Sequence, residues 1–151
     1  MLEALVALLV LSFSALAYAA LQIKGLSTNT TAMSRSKATQ LAADMADRMR
    51  ANVGAALAYK DFADMPAQPR CGSSAGSACA PDEMATLDVH HWRQTLIDEL
   101  SEGSGIVCTD STPGDGSADD AQCDGKGDVL AVKVFWKEKD EGMRVWTSLR
   151  P

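Results

Sequence analysis

Four cysteines, Cys71, Cys79, Cys108 and Cys123, are the most reactive side chains in this 151-residue chain. They are separated by seven, twenty-eight and fourteen residues. A structural zinc site usually draws on close pairs such as C-x-x-C, and no such pair is present. An even number of cysteines among Gly, Ser and Asp reads instead as two disulfides formed in an oxidising compartment. Three connectivities are open. Cys71–Cys79 with Cys108–Cys123 is favoured, because both bridges close short loops rich in Gly, Ser and Asp.

The other reactive groups point to less. His90 and His91 are adjacent, so on a helix their side chains diverge by about 100° and cannot share a metal as an i,i+4 pair would. Asp110, Asp115, Asp119, Asp120, Asp124 and Asp128 offer oxygen ligands for calcium, but the spaced D-x-[DN]-x-[DN]-G loop is missing, and an ordinary solvated loop is expected. No G-x-S-x-G, H-E-x-x-H or P-loop pattern occurs. The expectation is no catalytic residue, no metal, no cofactor and no enzyme activity. Glu3 is the remaining outlier. It is a lone carboxylate at the edge of an apolar segment, where a charge costs about 2.5–3.5 kcal/mol on insertion scales. Interfacial contact with lipid headgroups is the plain reading of that residue.

The segment beside Glu3 sets the architecture. Ala4 to Leu21 is eighteen residues without a charge, interrupted only by Ser12, Ser14 and Tyr18. That length approaches the span of a membrane helix, and no polar face is evident. A cleavable signal peptide is the rival. Ala17-Tyr18-Ala19 fits its cleavage pattern, yet no Lys or Arg precedes the run and helix-forming sequence continues past Lys24. Residues 1–24 are therefore read as a transmembrane and assembly helix, and residues 25–151 as a periplasmic head. The net charge of −6 divides unevenly: residues 22–60 carry six basic and two acidic residues, and the chain beyond them eight basic and seventeen acidic. An acidic head excludes general nucleic-acid binding, which needs net positive surface. Opposite charges on stem and head suit either lateral packing between copies or partners or simple solubilisation of the surface.

The remaining elements follow from pattern. With no proline before Pro66, one helix can run from Met1 to about Asn52, roughly 75 Å at 1.5 Å per residue. Met33, Leu41, Met45, Met49, Val53 and Leu57, flanked by Ala38, Ala42 and Ala46, predict a face packed on the head, with Gly54 as the stop. Pro66, Pro69, Cys71–Cys79 and Pro81 predict a loop. Val89, Trp92, Leu96, Ile97 and Leu100 predict a second helix, capped by Thr86 or Asp88 and ended by Gly103 and Gly105. Strands are expected at Ile106–Thr109, Val129–Trp136 and Met143–Leu149. A long loop covers 110–128, and a turn falls at Asp140-Glu141-Gly142. In the second strand Leu130, Val132, Val134 and Trp136 share one face, and Ala131, Lys133 and Phe135 the other. The predicted fold class is α+β: a long N-terminal helix on a small antiparallel sheet.

The opening Met1-Leu2-Glu3-Ala4-Leu5-Val6-Ala7-Leu8-Leu9-Val10-Leu11 resembles the start of a mature type IV pilin or type II secretion pseudopilin. In that superfamily the helix follows a cleavage glycine, and its glutamate pairs with the N-terminal amine of a neighbouring subunit. Glu3 matches that glutamate. The usual spacing implies that the leader, the glycine and two mature residues precede Met1. Gln40 to Asn52 is similar to the stem of PilV-type minor pilins, and Leu87–Leu100 and Val129–Trp136 resemble that subfamily's head. Major pilins commonly have a proline in the apolar segment, and none stands here. The resemblance implies a minor pilin that primes pilus assembly at the filament tip. Its partners would be other minor pilins, the major pilin and a tip-associated adhesin. The implied location is the inner membrane with a periplasmic head, then the pilus. A minor pseudopilin is the alternative. A secreted calcium-dependent enzyme or binding domain behind a signal peptide is a third class, marked by cleavage near Ala19.

Overall fold

The computed structural model describes residues 1–60, 62, 67, 71 and 78–150. The expected turns at Pro66 and Pro69 lie outside the described residues. The chain forms two compact units, Met1–Ser34 and Arg35–Pro151. Helix α1, Leu2–Ala51, supplies all of the first and the start of the second.

In the first unit the apolar side chains are exposed all round, including Leu5, Leu8, Leu9, Phe13, Leu16 and Leu21. By length and composition this helix can cross a membrane. The two serine hydroxyls of its apolar run turn inward to the helix's own carbonyls: Ser12 Oγ donates to Leu8 O at 2.7 Å and Ser14 Oγ to Val10 O at 2.9 Å. Such bonds satisfy the serine donors within the helix.

The second unit is helix on sheet. Ala38, Ala42, Met45, Ala46 and Met49 form the buried face of α1. Small residues at i, i+4, i+8 let the packed layer approach closely, and the two methionines fill the gaps between. The predicted stripe was too long. Met33, Val53 and Leu57 are 58%, 66% and 59% exposed. Met33 precedes the packed unit, and α1 ends at Ala51, before Gly54. The chain continues as a 3-10 helix, Val53–Tyr59, with a kink at Ala55. A turn of about three residues moves Val53 and Leu57 out of the α-helical register.

Helix α2 is Pro81–Glu99. It begins five residues before the expected cap at Thr86, because Pro81 at the first position has no N–H to strand and Glu83 Oε2 accepts from Ala80 N at 3.0 Å. Val89, Trp92 and Leu96 are buried, whereas Ile97 is exposed. Trp92 Nε1 donates to Leu41 O at 2.9 Å, tying α2 to α1. Gly105 makes the α2–sheet contact possible: a Cβ there would stand 2.4 Å from the Trp92 ring. Gly105 therefore belongs to the sheet, as part of its first strand, and does not end the helix.

That sheet is antiparallel in the order β1 (Ser104–Thr109), β2 (Leu130–Glu138), β3 (Glu141–Leu149). The hairpin turn is Lys139-Asp140, one residue earlier than expected. Both have positive φ, 48° and 70°, and Glu138 pairs with Glu141. This is the two-residue turn whose twist suits a hairpin. Leu130, Val132, Val134 and Trp136 join the core with Met45, Met49, Trp92 and Leu96. The α+β class stands as expected, but Ala131, Lys133 and Phe135 on the opposite face are buried too. The loop after β1 covers them.

Candidate functional site

Glu3 lies in the first turn of α1 and is solvent-exposed. A carboxylate is favoured there because the first turn presents unpaired backbone N–H groups. The cysteines are all in the second unit. Cys71 is bonded to Cys79 and Cys108 to Cys123, with Cα separations of 4.9 and 6.1 Å. This is the pairing that the short-loop argument favours, and it joins β1 to the acidic loop.

The cysteines and aspartates weighed in the sequence as possible ligands are otherwise engaged. Cys108, Asp110 and Cys123 place ligand atoms within 4.8 Å of one another, but both sulfurs are consumed in the disulfide. Asp124 accepts from Ser111 N at 3.1 Å, from Ser111 Oγ and from Lys126 N at 2.8 Å. These bonds, that of the Ser111 hydroxyl foremost, hold its pKa down at about 2. Asp120 accepts from Gln122 N at 3.0 Å, and Asp128 faces Arg150 at 3.6 Å. Asp120 and Asp124 thus shape turns and Asp128 pairs with a cation. His90 and His91 sit on α2 with ring centroids 5.8 Å apart, edge to face.

Two polar clusters escaped the sequence reading. The first locks the end of α1 to α2. Arg48 spans Asp44 and Asp88, at 2.9 Å to each. Tyr59 donates to Asp88 Oδ2 at 2.7 Å, and Asn52 Nδ2 donates to Pro81 O at 2.7 Å. Burial, then Asp88, push the Tyr59 hydroxyl up to about 12. Burial alone would lower Arg48, but the two carboxylates outweigh it and its pKa is raised.

The second cluster is the only buried charge pair among the described residues. Lys133 and Asp110 are each 1% exposed. Lys133 Nζ is 2.5 Å from Asp110 Oδ2 and 2.9 Å from Asp115 Oδ1, and it donates to Ala121 O at 2.8 Å. Burial pulls the lysine pKa down, but Asp110 and Asp115 more than compensate and raise it. The Thr112 hydroxyl, then Lys133, lower the pKa of Asp115. Arg144 Nη1 donates to Gly116 O at 2.9 Å, and Gly114 packs close to the Trp146 ring. A lysine flanked by alternating apolar residues, next to an acid-rich loop, was the available signal. Period-2 alternation assigns it to an outer face and cannot say what covers that face.

Comparison with known families adds one finding. The family model described as type IV pilin Tt1218, Tt1218-like, matches residues 20–90. The matched region takes in the later part of α1 and the first half of α2. No curated protein and no solved structure matches the chain.

Proposed function

We infer that this protein is a type IV pilin, and within that class a minor pilin of the PilV kind, a structural subunit with no catalytic role. The observation that carries the reading is the similarity of residues 20–90 to the type IV pilin family. It is supported by an α1 whose first unit exposes apolar side chains on every face, a surface suited to lipid and to the helices of neighbouring subunits. The α1–α2–sheet arrangement and the two disulfides suit a head held outside the cytoplasm. The subunit waits in the inner membrane and then enters the pilus. It primes assembly at the tip with other minor pilins and an adhesin, and the major pilin is added behind it.

Glu3 is the assembly residue in this reading. A carboxylate on an apolar helix is stabilised when the positive amine of the adjacent subunit arrives. Glu3→Ala is expected to leave folding, disulfides and membrane insertion intact and to lower incorporation into pili by several-fold. The measurement is the ratio of this protein in sheared pili to membranes, for wild type and variant. Equal ratios with equal piliation would make Glu3 a bystander at the lipid interface. Deletion of the gene separates the two pilin-like roles: loss of pili supports the minor pilin, and loss of protein export with pili intact supports a minor pseudopilin.

A further inference from the structure

Lys133 and Asp110 are placed as reactants as well as ions. Lys133 Nζ is 2.5 Å from Asp110 Oδ2 in a buried ion pair. The amine is therefore held in direct contact with the carboxyl group. Asp110 Oδ1 accepts from Thr112 N at 3.0 Å. A backbone N–H at that oxygen polarises the carboxyl carbon and stabilises the oxyanion that forms when the carbon is attacked. Asp115 Oδ1 lies 2.9 Å from the same amine, within reach for proton transfer. The Cys108–Cys123 bridge anchors both ends of the loop segment that carries Asp110 and Asp115, and holding two reactants in contact replaces much of the entropy cost of their meeting. The ionised pair is costly in a dry site, and condensation removes both charges at once.

We propose that Lys133 and Asp110 condense into an intramolecular isopeptide bond, a third covalent cross-link in the head, with Asp115 as the proton carrier. The ammonium of Lys133 gives one proton to the Asp110 carboxylate. The neutral amine attacks Asp110 Cγ, and the N–C bond forms as the oxygen at Thr112 takes up the negative charge. A second proton leaves the nitrogen for Asp115, which passes it to the departing hydroxyl. The C–O bond breaks, water leaves, and Asp115 is again a carboxylate. One ammonium and one carboxylate become one amide and one water, with no oxidant and no co-reactant. Because the reactants come from segments 23 positions apart and meet only in the folded head, the condensation follows folding.

The test is peptide mapping of the full chain, extracted from membranes in detergent, then reduced and alkylated. It is done once on fresh protein and once after prolonged incubation at growth temperature. The expected result is one fragment joining the Asp110 and Lys133 peptides, lighter by one water than their sum, resistant to trypsin at Lys133 and to hydroxylamine. Asp115→Asn is expected to fold with both disulfides and to yield the two peptides unjoined. Unjoined peptides from the wild type at both times would overturn the proposal. So would a water loss that maps to Asp115-Gly116 or Asp124-Gly125 and opens with hydroxylamine, which marks a succinimide. Joining in Asp115→Asn at the wild-type rate would overturn the role of Asp115.

Discussion

On one face of β2, Leu130, Val132, Val134 and Trp136 join a core built from α1 and α2, whereas on the other Ala131, Lys133 and Phe135 lie beneath the β1–β2 loop. Both faces are dry. The helix side is closed by large apolar side chains that need only fit and exclude water, a non-directional force proportional to area. The loop side is closed by a segment of Gly, Ser, Thr and Asp with little apolar area to bury. It is held by directional bonds: Lys133 to Asp110, Asp115 and Ala121 O, Arg144 to Gly116 O, and the Cys108–Cys123 bridge. A surface closed by apolar packing tolerates rearrangement, but one closed by a few named polar contacts opens when any one of them is removed.

The largest effect is expected on the helix side. Trp92→Ala empties the centre of the core and removes the bond to Leu41 O, and should cost about 3–5 kcal/mol in denaturant unfolding. A loss below about 1 kcal/mol would show that the loop side, not the helix side, carries the stability of the head. Asp110→Ala strands Lys133 in a dry site. Measured on freshly folded protein, before condensation, the cost should be about 3 kcal/mol, at the lower end for a broken buried pair because Asp115 stays in contact. Lys133→Met in the same background should recover most of that loss, since a similar volume then sits there without a charge. Failure to recover would place the effect in the loop turn instead of the charge.

Replacing Cys108 and Cys123 together by Ala should cost about 3 kcal/mol for a loop of this length in the chain-entropy model. Protease cleavage should appear first within 110–128 while the helix side stays protected. Simultaneous loss of both sides would mean that the two closures are one cooperative unit.

The smallest effects are opposite pH dependences. Asp124 is held at about 2, below its ordinary 3.8. A depressed carboxyl stabilises the folded state above its ordinary pKa, and that contribution fades as pH falls from about 3.8 towards about 2. Tyr59 is raised from 10.0 to about 12. A raised tyrosine stabilises the fold below its ordinary pKa, and the contribution fades as pH rises from 10.0 towards about 12. Acid should thus loosen the loop side and alkali the α1–α2 junction, read by hydrogen exchange in each segment. Ser111→Ala should remove much of the acid transition and Tyr59→Phe the alkaline one. Transitions that persist in these variants would assign them to other groups.

Local pattern determined much of this protein by itself. A long, uncharged, largely apolar run without proline makes the first part of α1 helical, because no residue there breaks the i to i−4 ladder and its serine hydroxyls bond back to the helix's own carbonyls. Glu3 stands out because a single charge in such a run is visible without any structure. A stripe of large apolar residues four apart, flanked by alanines, disclosed the middle of the buried face of α1 but overran both its ends, alternation disclosed β2 and β3, and short Gly-rich spacings favoured the two disulfides later found in the structure. Other features were decided only by the tertiary structure. Trp92 reaches Leu41 O across 51 positions in sequence, and Arg48 reaches Asp88 across 40. Alternation left Lys133 on a face with no visible cover, and folding brought Asp110 and Asp115 onto it from 23 and 18 positions away. Periodicity records which side chains share a face, because backbone geometry repeats locally. It carries no record of which distant segment will lie on that face, and the buried charge pair exists only where two such segments meet.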